Sequence, residues 1–101
     1  MVVMERQIQQ LHPNKWAELE ALDKKYQPVE KRCGFPDKRR YRCFTGSENT
    51  NVLIIEREWA SFAALEAAYE KALADPEWQA LGDEGAAIVE SDRHELYVPL
   101  S

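Results

Sequence analysis

Glu5, Arg40, Arg42, Arg57, His94 and Tyr97 are the residues of this chain whose types could do chemistry together. A carboxylate, guanidinium groups, an imidazole and a phenol in a partly closed cleft would hold an anionic or enolisable molecule. Arginine grips a carboxylate through two parallel N–H donors, and tyrosine adds a single hydrogen bond. Glu5, His94 and Tyr97 are then the acid–base candidates. Gln7, Arg40, Arg42, Phe44, Arg57 and Trp59 are the ligand-binding candidates. A plainer reading competes with this one: the same charges could form a structural ion-pair network across a dimer interface, and the sequence favours that. His94 reads most simply as a surface residue at the start of an edge strand. Trp59 reads as a packing anchor under a helix, and Trp16 and Trp78 as core residues at helical spacing.

Other chemistries find little support. His12 lies beside Pro13 in an expected loop, far in sequence from His94. With Cys33 and Cys43 the only thiols, no metal site is expected. The two cysteines read as unpaired core thiols of a reducing compartment. Ser47 has no nucleophile elbow or partner histidine, and no glycine-rich phosphate loop exists. A net charge of −5 argues against nucleic acid as a partner. Lys38-Arg39-Arg40 with Arg42 is the local exception and reads as a charged edge strand. No stretch approaches the roughly 20 apolar residues of a membrane span. The opening Met1-Val2-Val3-Met4-Glu5-Arg6 lacks a positive leader and a long apolar run, so no signal peptide is expected and the expected location is the cytoplasm.

The elements that must position these residues follow from periodicity. At 101 residues, one domain spanning 1–101 is expected. Residues 2–11 alternate as a first strand. His12-Pro13-Asn14 ends it, with Asn14 as the expected helix cap. Trp16, Leu19, Leu22, Tyr26, Val29 and Cys33 then form one helical stripe, which Pro28 would kink or split. Gly34 sits where a left-handed C-terminal residue is wanted. Residues 38–45 form a second strand. After turn chemistry at 46–51, Val52 to Trp59 forms a third, apolar on both faces at Val52-Leu53-Ile54-Ile55. Ser61 caps a helix carrying Phe62, Leu65, Ala68, Tyr69, Ala72 and Leu73. Asp75-Pro76-Glu77 starts a short further helix. Gly82 and Gly85 are expected to loosen the chain, residues 86–91 read as helix or coil, and Arg93 to Val98 is a last strand.

The order is strand, helix, strand, strand, helix, strand. That is the split βαβ pattern of a ferredoxin-like α+β fold with a four-stranded antiparallel sheet. Right-handed crossovers put both main helices on one face and the first and third strands at the centre. The other face is expected to hold Val3, Glu5, Gln7, Arg40, Arg42, Phe44, Leu53, Ile55, Arg57 and Tyr97, with Trp59 at its rim. A second copy packing sheet against sheet would bury that face, giving a homodimer with a cleft between the sheets.

The element order resembles the dimeric α+β barrel superfamily. Within it, Arg57-Glu58-Trp59-Ala60-Ser61-Phe62 running on to Ala74-Asp75-Pro76-Glu77-Trp78 resembles the NIPSNAP group, and Met4-Glu5-Arg6 followed by His12-Pro13-Asn14-Lys15 is a looser match to its first strand and turn. The resemblance implies a homodimer with a site in each subunit's sheet cleft and no defined physiological role. Neighbouring groups include antibiotic-biosynthesis monooxygenases and haem-degrading oxygenases. Trp59 matches the tryptophan of the latter, but Gln7 stands where they carry asparagine, and no histidine lies near Leu81-Gly82 to ligate haem. No cofactor is expected. Three readings follow: a small-ligand-binding dimer, a cofactor-independent monooxygenase or isomerase acting on an activated carbon acid, and a structural dimer with no ligand.

Overall fold

The computed structural model describes residues 1–101. Its elements are β1 (Val3–Leu11), α1 (Trp16–Cys33), β2 (Lys38–Arg42), β3 (Val52–Trp59), α2 (Phe62–Leu73), α3 (Pro76–Gly85) and β4 (Val89–Tyr97). The sheet is antiparallel throughout, in the order β2-β3-β1-β4. This is the ferredoxin-like α+β fold, with β1 and β3 central as expected. Over its Cα atoms the molecule is 17 Å thick. That depth fits one sheet and one helix layer, so the second sheet face has no cover from this chain.

Local sequence explains most boundaries. Ser61 accepts a hydrogen bond from the Ala64 amide, and Asp75 accepts from Glu77 and Trp78, so each caps the helix it precedes. Gly34, at φ 91°, closes α1, and the Phe35 amide reaches back to the Glu30 carbonyl. Asn14 does not cap. It takes φ 62°, a left-handed turn conformation that asparagine tolerates, and α1 begins two residues later. Pro28 neither ends nor splits α1. Pro28 and Lys24, whose carbonyl would have received the missing N–H, are both exposed, so the break in the hydrogen-bond ladder lies on the solvent side of α1.

Three further boundaries differ from expectation. Gly82 and Gly85 lie inside α3 rather than in loosened chain. β4 starts at Val89, because Val89, Ser91 and Asp92 pair with β1 across an irregularity at Glu90, despite the lack of apolar alternation. β2 stops at Arg42; Gly46 turns at φ 139°, and Phe44 swings out to 91% exposure.

The faces are the main correction. Val3, Glu5, Leu53, Ile55, Arg57 and Trp59 all lie buried under the helices. They share one core with Leu19, Leu22, Val29, Phe35, Ala68 and Ala72, apart from Glu5 and Arg57, which are the charged members of that face. The uncovered face carries the opposite parity: Met4, Arg6 and Ile8 of β1 pair with Glu58, Glu56 and Ile54 of β3, flanked by Tyr41 and Tyr97 on the edges. Trp59 and Phe35 decide the matter physically. An indole beside a phenyl ring, centroids 5.3 Å apart, removes more apolar surface from water than the Ile54 side offers.

Candidate functional site

Glu5 is the unusual residue of the helix-covered face. It is 2% exposed, on a central strand, amid aliphatic and aromatic neighbours. A carboxylate so placed needs donors, and it has them. Trp59 Nε1 donates to Oε1 at 3.1 Å, and the Tyr69 hydroxyl donates to Oε2. Arg57 stands 3.9 Å from Oε1, and His94 Nε2 is 3.5 Å from Oε2. Strand register produces the cluster: Glu5 faces Arg57 directly on β3, and His94 lies opposite the next inward residue, Gln7, on β4. Tyr69 comes from the inward stripe of α2. Burial first, then its bond to Glu5, pushes the Tyr69 hydroxyl far above the ordinary phenol range, so it remains a donor.

From Arg57 an ionic ladder runs across the sheet to α1. Arg57 donates to Glu30 at 2.6 Å; Lys38 reaches Glu30 at 2.9 Å and Asp23 at 2.5 Å; Arg40 reaches Glu20 at 2.6 Å and Asp23 at 3.6 Å. Positive rungs come from β2 and β3, negative ones from α1. Burial raises the Asp23 carboxyl, but the Lys38 and Gln27 hydrogen bonds outweigh it, and the net shift is downward. Two donors are left over. Arg40 Nε and Arg57 Nε are buried without a hydrogen-bond partner.

Beside this ladder the helices and sheet border a cavity of about 500 Å³ that opens to solvent. Leu19, Leu22 and Tyr26 of α1, Leu53 and Ile55 of β3, and Trp78 of α3 supply its apolar wall; Gln7, Arg40, Arg57, Tyr69, Asp92 and His94 supply the polar one. Gly82 and Gly85 also line it. Neither glycine of α3 has a positive φ, and a Cβ on Gly82 would meet nothing within 4 Å. A helix interior favours alanine there by about 1 kcal/mol. What the two share is the thin wall they give the cavity.

The structure therefore divides the predicted site residues. Gln7, Arg40, Arg57 and His94 line one cavity, and Glu5 sits behind its wall, bonded to Tyr69 and close to His94 and Arg57. Trp59 is buried at 2% exposure, holding Glu5 and packing on Phe35. Arg42 stacks over Trp16, its guanidinium carbon 4.4 Å from the ring, and bonds the Thr50 carbonyl. Phe44 is in solvent. Tyr97 is on the uncovered face, where its hydroxyl donates to Glu95 and Arg6 lies over its ring. The ion pairs expected across a dimer interface are made instead within the chain, between sheet and helices. Tyr69, Asp23 and Glu30 were not among the site candidates read from the sequence, and Lys38 was read only as part of a charged edge strand. Tyr69 shares its helical stripe with core residues and carries no mark of its own. For Glu30 the signal was its place one residue beyond Val29, beside the inward stripe of α1.

The chain matches the NIPSNAP family model over residues 4–101. It belongs to the NIPSNAP family. Two NIPSNAP proteins of Burkholderia xenovorans have similar structures. One aligns with a TM-score of 0.84 at 18% identity over 100% of this chain and 96% of that one. The other, a NIPSNAP-like domain protein, aligns at 0.82 and 17% over 99% and 86%. SnoaB, a cofactor-independent oxygenase from Streptomyces nogalater, aligns at 0.72 and 19% over 99% and 94%. At these identities the likenesses establish the fold alone. No curated protein matches the sequence.

The ladder makes a pH prediction for this NIPSNAP protein. Asp23 has a depressed folded-state pKa. Its stabilisation is therefore complete above the ordinary carboxyl value and is lost as pH falls through the folded one. Asp23→Asn should lower stability at neutral pH and flatten the acid limb of stability against pH, followed by urea denaturation at a series of pH values.

Proposed function

We propose that this NIPSNAP protein is a cytoplasmic homodimer in which each subunit binds one compact, mainly apolar molecule bearing an acidic oxygen, held between its sheet and its helices. The observation that carries this reading is Arg57. Its side chain is 3% exposed, it belongs to the polar wall of a cavity whose other wall is apolar, and its Nε–H has no hydrogen-bond partner within the protein. A buried donor left empty is costly unless something else accepts from it. An anionic oxygen is the natural acceptor for a guanidinium. The volume suits a small ligand. Gln7, Arg40 and His94 share the same polar wall and are the further proposed contacts. Arg42, Phe44 and Tyr97 lie away from the cavity and are dropped from the site. Trp59 contributes only by holding Glu5. The structural-dimer reading needs these charges to leave no room, and the cavity weighs against it.

The second copy has a place to sit. On the uncovered face Tyr41 and Ile54 share a row with the buried Ile8, Tyr97 lies two rows away beyond the Arg6–Glu56 pair at 3.0 Å, and the Arg93–Glu48 pair at 3.0 Å flanks the row on the β4 side. No helix of the chain is long and apolar enough to cross a membrane.

Two measurements follow. In a thermal-shift and calorimetric titration, 1-naphthoate should stabilise the protein, and Gly82→Leu should weaken binding by at least about tenfold, the scale of filling a hydrophobic pocket. The variant should stay folded, since leucine is the better helix former. In analytical ultracentrifugation the wild-type protein should sediment as a dimer, and Ile54→Glu as a monomer; a wild-type monomer would refute the sheet-to-sheet pairing.

A further inference from the structure

We infer that Tyr26 is a ligand-binding residue of the cavity, its hydroxyl donating to the neutral carbonyl oxygen of an aryl ketone or aldehyde. This rests on the binding site proposed above and names the class of molecule that the site holds.

Tyr26 and Tyr69 are the two half-buried tyrosines of the cavity wall. The Tyr69 hydroxyl is taken up by Glu5. The Tyr26 hydroxyl bonds nothing in the chain; burial first, then the carboxylates of Glu30, Asp92 and Glu84, push it above the ordinary phenol range, so it stays a protonated donor. Those three carboxylates also locate it. They come from α1, β4 and α3, and Glu30 and Asp92 line the cavity with it. The hydroxyl therefore lies between these elements, with none of the three carboxylates bonded to it. Its ring is held in place by Trp78, which meets it edge-on with centroids 5.2 Å apart. A tyrosine hydroxyl drawn this far out of water ordinarily has a partner.

Charge selects that partner. Lys38, Arg40 and Arg57, the lysine and arginines of the cavity wall, are answered by Glu20, Asp23 and Glu30. Asp92 has no lysine or arginine beside it; its contacts are Gln7 Nε2 at 2.8 Å and His94 Nδ1 at 4.0 Å. A ligand oxyanion next to Tyr26 would face that carboxylate, and like charges at short range repel. A carbonyl oxygen accepts a hydrogen bond, carries no net charge and brings no donor that needs a partner of its own. The acidic oxygen of the ligand keeps to the guanidinium side of the wall. An aromatic body suits the surface offered by Tyr26, Trp78, Leu22 and Leu53.

The test pairs 4-acetylbenzoate with 4-isopropenylbenzoate, which keeps the carboxylate and the shape but has a methylene in place of the ketone oxygen. Both are titrated into the full-length protein by calorimetry at neutral pH. Wild-type protein should bind both and prefer the ketone about fivefold, the scale of one neutral hydrogen bond. Y26F keeps the ring and its contact with Trp78. It should bind 4-isopropenylbenzoate within twofold of wild type and lose the preference for the ketone. The C=O stretch of bound 4-acetylbenzoate should be lowered by hydrogen bonding in the wild type and rise in Y26F, while Y41F, altered on the uncovered face, should match wild type throughout. Equal binding of the two probes by the wild type, or an undiminished preference in Y26F, would overturn the role of Tyr26 and leave the binding site standing. Failure to bind either probe would overturn both.

Discussion

A carboxylate locked under two helices governs this molecule. Glu5 sits on a central strand, shut off from water, where an ionised side chain survives only with donors on every side. Trp59 and Tyr69 donate hydrogen bonds to it, and Arg57 and His94 stand 3.9 and 3.5 Å from its oxygens, from two neighbouring strands and a helix. Each is thereby fixed in turn. Trp59 must point inward, Tyr69 must be placed on the buried stripe of α2, and β1, β3 and β4 must hold a register that brings residues 5, 57 and 94 together. A slip of one residue in any strand would carry its charge to the opposite face.

Such an arrangement is a poor device for stability alone. Buried ion pairs rarely outdo well-packed apolar side chains of the same volume. Here the ladder from Glu5 to Glu20 occupies the interface between sheet and α1, where leucines would serve the core better. Gly82 points the same way, since it gives up helix stability in the interior of α3 without any demand from backbone geometry. Polar groups where apolar ones would pack, and empty space where side chains would fill, occur together around one cavity. The proposed binding would account for both at once, since the space would admit a ligand and the polar wall would orient it.

Much of the fold was legible in the chain. The element order, the central place of β1 and β3, the caps at Ser61 and Asp75 and the left-handed Gly34 all follow from local chemistry, and the stretch from Arg57 to Trp78 carries the family resemblance. The sidedness of the sheet was not legible by polarity. Glu5, Gln7 and Arg57 make the inward parity look solvated, while Ile8 and Ile54 make the outward parity look greasy, so counting apolar residues inverts the faces. The side-chain hydrogen-bond partners of Glu5 and Arg57 lie 27 to 64 residues away, and no local pattern reveals them. Trp59 held the better signal, because an indole at the end of a central strand belongs under the helix that follows. Several site residues were named for a different cleft. Glu5, Arg57 and His94 do meet, within one chain and beneath its helices.

The placement of the cavity can be read directly from backbone and side-chain resonances as 1-naphthoate is added to 15N-labelled protein. Ligand between sheet and helices will shift the Trp78 indole, the Gly82 and Gly85 amides and the His94 ring, leaving Arg6, Ile8 and Ile54 in place. Shifts gathered instead on Arg6, Ile8 and Ile54 would put the ligand on the uncovered sheet face and contradict the account.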